Sequence, residues 1–336
     1  MNILITGGAG FIGSNFVHYW RANHPDDNLT VIDSLTYAGN KANIQNEIDA
    51  GNVTFIEQSI NDKTGVYAIF EKVKPDMLVH FAAETHVDRS LDNSHVFLET
   101  NILGTHNLLE AARDHGIQRF HHISTDEVFG SLKLGDQEKF SENTPYDPRS
   151  PYSASKAAAD HLVRAFGESF DLPFSITNCS NNYGPYQYPE KFLPRMITNV
   201  MHGEKIPIYG DGLYVRDWLY VDDHCRAIDL IVQNQDTLGK TYCVGGSTED
   251  TSNKDLALMV LEHFGYDESW LETVRDRAGH DRRYAVDWSL IKKDLGWEPL
   301  HNTADWLEKT IIWYKENESW WKPLKEESDQ FYAKTA

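Results

Sequence analysis

The first thirteen residues combine a short apolar run with a turn rich in glycine. Residues 1–6 are almost continuously apolar, as expected of a strand buried on both faces of a parallel sheet. Gly7, Gly10 and Gly13 follow at once. Their missing Cβ atoms let the backbone approach a pyrophosphate, whose charge then meets free N–H groups at the start of the next helix. A glycine cluster alone is also compatible with an ordinary tight turn.

A second apolar segment supports the nucleotide interpretation. Residues 29–32 form a strand pattern that ends in Asp33, 20 residues after Gly13. A carboxylate at this spacing can accept hydrogen bonds from the adenosine ribose hydroxyls, and it favours NAD over NADP because it repels a 2′-phosphate. The alternative is that Asp33 only caps its own loop.

Strand and helix signals continue to alternate along the chain. Strands are predicted at 53–56, 77–81, 119–124 and 173–178, and helices at 66–72 and 101–114. Such alternation implies right-handed crossovers. The predicted fold class is therefore α/β, a doubly wound parallel sheet of the Rossmann type.

Beyond Asn178 the composition changes to short segments rich in Pro, Gly, Tyr and Asn, with helices predicted at 253–264 and 303–317. This pattern predicts a smaller α/β substrate-binding lobe. The NAD-binding domain is expected at 1–180 plus about 216–240, and the lobe at 181–215 and 241–325. The charged tail after Trp321 is expected to be frayed.

Charge and cysteine content exclude several classes of protein. The net charge of −20 over 336 residues argues against a general nucleic-acid or anionic-membrane surface, so an anionic substrate would need a local basic pocket. The three scattered cysteines predict reduced thiols and neither a disulfide framework nor a metal site. With no signal-like start and no long apolar run, a cytoplasmic protein is expected.

The stretch Ser124-Thr125-Asp126-Glu127 delivers two neighbouring carboxyl groups to a predicted strand end. Adjacent strand residues point to opposite faces, so both acids reach one substrate only if the strand has ended by Thr125. Two close carboxyls resist ionising together, which separates a general acid from a general base. A solvated turn with a helix cap is the alternative.

Tyr152 and Lys156 lie four residues apart in a helix predicted to start at Ser150-Pro151. A nearby ammonium stabilises a phenolate, so the pair can provide a tyrosine general base. Lys156 could also bind a nicotinamide ribose. In isolation the same spacing fits a helix-surface pair.

Read together, these motifs resemble the extended short-chain dehydrogenase/reductase family, and within it the nucleotide-sugar 4,6-dehydratases. The resemblance covers residues 1 to about 314. Beyond the motifs above it rests on these blocks: 33–40, 82–90, 124–130, 178–187, 209–212, 216–218 and 276–281.

The resemblance implies a redox-neutral dehydration of dTDP-glucose with tightly bound, recycled NAD. Tyr152 would deprotonate the glucose 4-hydroxyl while Thr125 hydrogen-bonds the same oxygen. Glu127 would remove the C5 proton and Asp126 would protonate the leaving 6-hydroxyl. Lys156 completes the predicted catalytic set.

The cofactor contacts implied by the resemblance follow the ends of the predicted strands. They are Gly7, Gly10, Phe11, Ile12, Gly13, Asp33, Ser34, Thr36, Ser59, Ile60, Ala82, Ala83, Thr100, Tyr152, Lys156, Asn178 and Asn182. The chain departs from the family at Gln58-Ser59-Ile60, where relatives carry Gly-Asp-Ile near the adenine. Asn61 or Asp62 would have to replace that contact.

The resemblance also implies a substrate site and a dimer. The substrate contacts are Thr85, His86, Thr125, Asn181, Lys191, Phe192, Leu193, Pro207, Tyr209, Arg216, Asn253, Arg277 and His280. Residues 96–115 and 152–170 would form half of a four-helix bundle in a homodimer. The alternatives are a UDP-sugar 4-epimerase, a UDP-glucuronate decarboxylase or a CDP-glucose 4,6-dehydratase on the same scaffold, and a non-catalytic NAD-binding sensor.

Overall fold

The computed structural model describes residues 1–246, 250–276 and 280–335, with side chains to residue 330. Within these residues the strands are β1 (Asn2–Thr6), β2 (Asn28–Asp33), β3 (Val53–Glu57), β4 (Met77–His80), β5 (Arg119–Thr125), β6 (Phe174–Cys179), β7 (Asn181–Tyr183), β8 (Ile206–Tyr209), β9 (Val215–Arg216), β10 (Trp218–Tyr220), β11 (Lys240–Val244), β12 (Thr251–Ser252) and β13 (Leu271–Val274).

The α-helices are α1 (Phe11–Asn23), α2 (Gln45–Asp49), α3 (Lys63–Val73), α4 (Val87–Asp92), α5 (His95–Phe97), α6 (Thr105–Asp114), α7 (Pro151–Phe170), α8 (Phe192–Met201), α9 (Val221–Gln233), α10 (Asn253–Phe264), α11 (Ser289–Leu295), α12 (Thr303–Glu316) and α13 (Glu318–Thr335). A π-helical stretch, Leu98–Gly104, joins α5 to α6 into one long helix. A 3₁₀ turn, Asp126–Phe129, follows β5.

The predicted doubly wound sheet is confirmed. Seven parallel strands lie in the order β11-β6-β5-β4-β1-β2-β3. The winding direction reverses between β1 and β4, and ligands bind at the carboxyl ends of strands beside such a reversal. The glycine turn follows β1 and residues 81–83 follow β4, so both lie at this point.

Helices cover both faces of the sheet. On one face the core joins α1 and α9 to the strands through Phe16, Trp20, Val221 and Ile228. On the other face α3, α6 and α7 pack on the strands through residues such as Phe70, Leu108 and Val163.

A separate apolar cluster forms the core of the lobe and joins α8, α10 and α12. The lobe boundary predicted at residue 241 falls inside β11, which pairs in register with β6. Val244 is therefore still part of the main sheet. Local sequence could not reveal this, because the pairing partner of Lys240–Val244 lies more than 60 residues away.

The expectation of a frayed tail is wrong. Residues after Trp321 continue α13, and Trp321, Lys325 and Ser328 are buried at successive turns of that helix. None of the described helices is both long enough and apolar enough to span a bilayer.

Candidate active site

The glycine turn is a close-packed cradle at the carboxyl end of β1. Gly7 has a φ of +70°, and a Cβ there would lie 2.5 Å from the Ala82 nitrogen. A Cβ on Gly13 would lie 2.3 Å from the Gly7 carbonyl oxygen. A Cβ on Gly10, which precedes the first turn of α1, would meet only the Gly7 oxygen, at 3.3 Å. The turn is thus closed on its protein side and open at the helix N-terminus, which fits a dinucleotide pyrophosphate.

Asp33 ends β2 directly beside this turn. Its carboxylate accepts hydrogen bonds from the Ala9 N–H at 3.0 Å and the Leu35 N–H at 2.9 Å. Burial raises the pKa of Asp33, although both hydrogen bonds oppose that rise. Asp33 therefore does cap its own loop, and it does so at the position where a contact with the ribose is predicted.

The other predicted cofactor residues fall into two groups. Ser34 and Thr36 follow β2, Ser59 and Ile60 follow β3, and Ala82 and Ala83 follow β4, all at the carboxyl edge of the sheet. Phe11 and Ile12 open α1, and Thr100 lies in the π-helical stretch. Asp62 caps α3 by accepting from the Gly65 N–H, so its carboxylate is already engaged near the altered adenine segment.

Asn178 and Asn182 are held by the protein itself. The Asn178 amide nitrogen donates to the Thr125 carbonyl and to Asp160, both at 3.1 Å. The Asn182 amide nitrogen donates to the Ser180 carbonyl at 2.9 Å. Asn178 thus links the end of β6 to β5 and α7, and Asn182 holds the residue that follows β6.

The chain leaves the sheet at Thr125, as it must if the carboxyl groups of Asp126 and Glu127 are both to reach one substrate. β5 ends at Thr125, whose hydroxyl oxygen accepts from the Glu127 N–H at 3.2 Å. Asp126 is only 1% exposed, whereas Glu127 lines a cavity between the sheet edge and the lobe. Burial, followed by the charge of Glu127, raises the pKa of Asp126 well above its usual range. Asp126 is thus suited to be an acid, and the solvated-turn alternative does not fit it.

Tyr152 and Lys156 occupy the first turns of α7. Ser150 and Ser153 form a reciprocal capping box, and Pro151 starts the helix as predicted. The Lys156 ammonium donates to the Ile123 carbonyl at 2.7 Å, and burial lowers the pKa of Lys156 to about 8. Burial, followed by the charge of Glu127, raises the pKa of Tyr152. This is opposite to the direction predicted from the Tyr/Lys spacing, because burial and a nearby carboxylate dominate and the Lys156 ammonium donates to the Ile123 carbonyl.

A buried network behind Lys156 was not predicted. It centres on Asp160, whose carboxylate is contacted by Ser124, Tyr146 and Asn178 at 2.7 to 3.1 Å and by His122 at 3.2 Å. Burial alone would raise the pKa of Asp160, but these partners and Lys156 hold it below its usual value. The available signal was the four-residue spacing from Lys156, which places both side chains on one helix face.

The cavity between the sheet edge and the lobe gathers most of the predicted substrate residues. Those lining it are Thr85, His86, Asn181, Lys191, Phe192, Pro207, Tyr209, Arg216, Asn253 and His280, together with Glu127. Leu193 is instead buried in the lobe core at 1% exposure, because it faces inward from α8. Arg277 lies outside the described residues. Thr125 is buried at the strand end beside Asp126.

Several unpredicted side chains also line this cavity: Val87, Asp88, Glu190, Arg195, Met196 and Trp218. Arg89 donates to the buried Glu190 carboxylate through two guanidinium nitrogens, at 2.9 and 3.0 Å. Val87, Asp88, Arg89 and Trp218 belong to the blocks 82–90 and 216–218 of the resemblance. Glu190, Arg195 and Met196 lie outside those blocks, and the fold brings them to the same cavity.

Three cationic side chains line the cavity in a chain of net charge −20, together with the carboxyl groups of Asp88, Glu127 and Glu190. Arg216 is 6% exposed, donates to the Asp281 carbonyl at 3.0 Å and stacks 4.3 Å from the Tyr284 ring centre. The Lys191 ammonium donates to the Thr85 carbonyl at 3.0 Å. Together with Arg195 they place cationic groups where an anionic substrate would need them.

The parallel sheet, the glycine turn and the Tyr152/Lys156 pair together define a member of the extended short-chain dehydrogenase/reductases. A family model described as GDP-mannose 4,6 dehydratase matches residues 4–310. A dTDP-glucose 4,6-dehydratase from Mycobacterium tuberculosis is 48% identical over 99% of this chain and 98% of its own length. The chain belongs to this dehydratase family.

Solved structures agree with this assignment. A dTDP-glucose 4,6-dehydratase from Streptomyces venezuelae, with NAD and TYD bound, has a TM-score of 0.92 at 45% identity and covers 96% of this chain and 100% of that one. A UDP-glucose 4-epimerase from Thermotoga maritima has a TM-score of 0.87 at 30% identity over 95% and 100% of the two chains. Because both activities occur on this fold, the reaction must be argued from the site.

Proposed function

We propose that this protein is a lyase that converts dTDP-glucose to dTDP-4-keto-6-deoxyglucose and water, with NAD recycled in each turnover. The observation that carries the proposal is the carboxyl pair at the end of β5, with Asp126 buried and Glu127 on the cavity, beside Tyr152. The names of the relatives at 44–48% identity support the same reaction.

Bound NAD would accept the C4 hydride and return it to C6, and its positive charge would favour the phenolate form of Tyr152, which burial and Glu127 oppose. Tyr152 takes the proton of the sugar 4-hydroxyl, with Thr125 hydrogen-bonded to the same oxygen and Lys156 beside it. The 4-ketone makes the C5 hydrogen acidic, and Glu127 removes it. Asp126, held protonated by its raised pKa, gives its proton to the leaving 6-hydroxyl, which departs as water.

The lobe binds the nucleotide diphosphate in this proposal. Arg216 and His280 would contact the phosphates and the nucleoside, and Lys191 and Asn253 would contact other parts of the substrate; all four line the cavity. The division into residues 1–180 plus 216–240 for NAD and the remainder to 325 for the nucleotide sugar is retained, with β11 assigned to the NAD-binding part.

A substrate panel tests the proposal. Purified protein incubated with dTDP-glucose should yield the 4-keto-6-deoxy sugar, seen by NMR, without net NADH. UDP-glucose and CDP-glucose should react more slowly. Unchanged substrate would support the non-catalytic sensor, and a galactose epimer would support the epimerase. Neither an epimerase nor a decarboxylase needs an acid/base pair for elimination across C5 and C6.

Variants of the two carboxyl residues test their separate roles. Asp126→Asn and Glu127→Gln should still permit oxidation at C4 but slow the loss of water by about 100-fold or more. Single-turnover absorbance would then show NADH that accumulates before any product. Loss of water at the parent rate in either variant would remove that residue from the mechanism.

We also propose a cytoplasmic homodimer. Cys179, Cys225 and Cys243 are free and buried, which is typical of proteins from reducing compartments. Leu98 and Leu103 are 44% and 58% exposed on the helix that packs beside α7. Two exposed leucines on the helix that packs beside α7 support a four-helix bundle formed with a second copy of the chain.

A further inference from the structure

The loop that follows β7 connects the lobe to the first helix of the nucleotide-binding half. The Pro185 carbonyl accepts a hydrogen bond from the Asn15 amide of α1 at 2.9 Å. Tyr186 has a φ of +63°, a conformation disfavoured for a residue other than glycine. Its ring stacks on His18, with centres 5.6 Å apart, and meets Trp313 edge-on at 4.9 Å.

A chain of hydrogen bonds runs from the last helix to the glycine turn. The Trp320 indole N–H donates to the Asn43 side-chain oxygen at 2.8 Å, and the Asn43 side-chain nitrogen donates to the Ala9 carbonyl at 2.9 Å. Asn43 is only 3% exposed, and His18 lies 2.8 Å from its backbone carbonyl. We call Trp320, Asn43 and Ala9 the C-terminal relay.

Ala9 lies inside the glycine turn, so the relay acts on the segment that must meet the pyrophosphate. The N–H of Ala9 is held by Asp33 at 3.0 Å, while its carbonyl accepts from the Asn40 N–H and from Asn43. The peptide groups on both sides of Ala9 are therefore fixed in orientation. A turn that is already fixed can bind a ligand through its N–H groups without the entropic cost of ordering them.

The other end of the relay is anchored in the lobe. Trp320 packs against Trp313 of α12, with ring centres 5.1 Å apart, and the neighbouring Trp321 indole donates to the Tyr314 carbonyl at 2.7 Å. α12 in turn packs on α8 and α10, whose first residues, Phe192 and Asn253, line the substrate cavity.

We propose that Trp320 and Asn43 are positioning residues that hold the glycine turn in its NAD-binding conformation and slow the release of NAD. This inference rests on the proposed function, because an enzyme that reduces and reoxidises one NAD in each turnover needs a cofactor that stays bound. The two residues touch neither substrate nor reacting atoms; they act through Ala9.

The test is the exchange of bound NAD for labelled NAD in the full-length holoenzyme without sugar substrate. Trp320→Phe keeps an aromatic ring but removes the indole N–H, and it should release NAD about fivefold faster, the effect of one hydrogen bond. Trp270→Phe is the matched control. Trp270 is also half-buried and stacks on Tyr266 at 3.8 Å, far from the turn in sequence and contacts, so it should release NAD at the parent rate.

A second variant tests whether the two residues act in series. Asn43→Ala removes the donor to Ala9 and should release NAD at least as fast as Trp320→Phe. The double variant should be no faster than Asn43→Ala alone, since Trp320 then has no route to the turn.

The outcomes separate this inference from the proposed function. Parent-like exchange in Trp320→Phe, or additive effects in the double variant, would overturn the relay while leaving the dehydratase assignment intact. A parent protein that binds no NAD would instead contradict the proposed function. Circular dichroism of each variant verifies that faster exchange does not reflect unfolding.

Discussion

Asp126, the proposed acid, is a carboxyl group that is only 1% exposed in the folded protein. Burial, followed by the charge of Glu127, raises its pKa, so the folded protein holds the proton to higher pH than the unfolded chain, which releases it above a pH of about 4. The folded state therefore loses stability as the pH rises from that value toward the raised pKa. Catalytic water loss should fall over the upper part of the same range, because the acid loses its proton.

We expect Asp126→Asn to raise the melting temperature at pH 8 by roughly 2–4 °C, while greatly slowing water loss, because the amide is neutral at every pH. The gain should shrink at pH 4, where the parent carboxyl is protonated in both states. Scanning calorimetry at both values measures it. Asp136→Asn, on an exposed loop, is the control. A melting temperature unchanged at pH 8 would contradict the burial argument.

Asp160 is expected to set the charge state of Lys156. Burial lowers the pKa of Lys156 and the negative charge of Asp160 raises it, and the two effects together leave that pKa at about 8. In Asp160→Asn, Lys156 should lose its proton at lower pH, so kcat should begin to decline at a lower pH than in the parent and fall about tenfold at pH 8. The KM for dTDP-glucose should change little, because Asp160 does not line the cavity.

The pH profile of kcat, with KM measured at each pH, tests this role. A purely structural residue would lower kcat equally at every pH, and that result would contradict it.

At the scale of single residues, the sequence predicted those that belong to short motifs. Gly7 and Asp126 lie close in sequence to the other members of their motifs, and Tyr152 lies one helical turn from Lys156. Asn43, Asp160 and Glu190 contribute through partners tens to hundreds of residues away. Likewise, the pKa direction of Tyr152 depends on burial, which the spacing of Tyr152 and Lys156 does not contain.

At the scale of elements, most strand and helix positions followed from periodicity, but α13 did not. Its charged composition hides a buried stripe of Trp321, Lys325 and Ser328, whose spacing is that of a helix. The Lys325 ammonium donates to Asn199 at 2.9 Å and to Glu204 at 3.0 Å. Lys325 is buried because these distant acceptors, and Asp329 of the same helix at 2.9 Å, meet its ammonium. Composition alone therefore predicted a solvated tail.

We expect Trp321→Ala to lower the free energy of unfolding by about 3–5 kcal/mol, because it removes a fully buried indole and leaves a cavity in the lobe core. Urea denaturation followed by circular dichroism measures the change. Glu326→Ala, exposed on the same helix, should cost less than about 0.5 kcal/mol. If Trp321→Ala were equally mild, α13 would not be packed on the lobe.

At the scale of the whole molecule, the order of the sheet explains why distant motifs form one site. Placing β4 beside β1 brings the glycine turn against Ala82, and placing β5 next to β4 brings the carboxyl pair to the same edge. The lobe then closes a cavity over that edge, with Lys191, Arg195 and Arg216 in its lining. The sequence predicted this arrangement through strand alternation, whereas the location of β11 in the main sheet required long-range pairing.

The proposed dimer is also a property of the whole molecule, and it depends on one exposed apolar face. Leu98 and Leu103 lie five residues apart in the π-helical stretch, whose hydrogen bonds join residues i and i+5 and so bring such positions to about the same side. Burying this face in a second copy would remove both leucines from water. A charge at its centre should prevent that.

We therefore expect Leu103→Glu to be a monomer at concentrations where the parent sediments as a dimer, because burying an unpaired carboxylate costs several kcal/mol. Sedimentation velocity over a tenfold range of concentration measures the change. Leu300→Glu is the matched control, since Leu300 is 66% exposed but lies before α12, away from these helices, and should leave the dimer intact. If the Leu103→Glu variant were still a dimer, the subunit contact would lie elsewhere. If the parent were a monomer, the proposed dimer would be wrong.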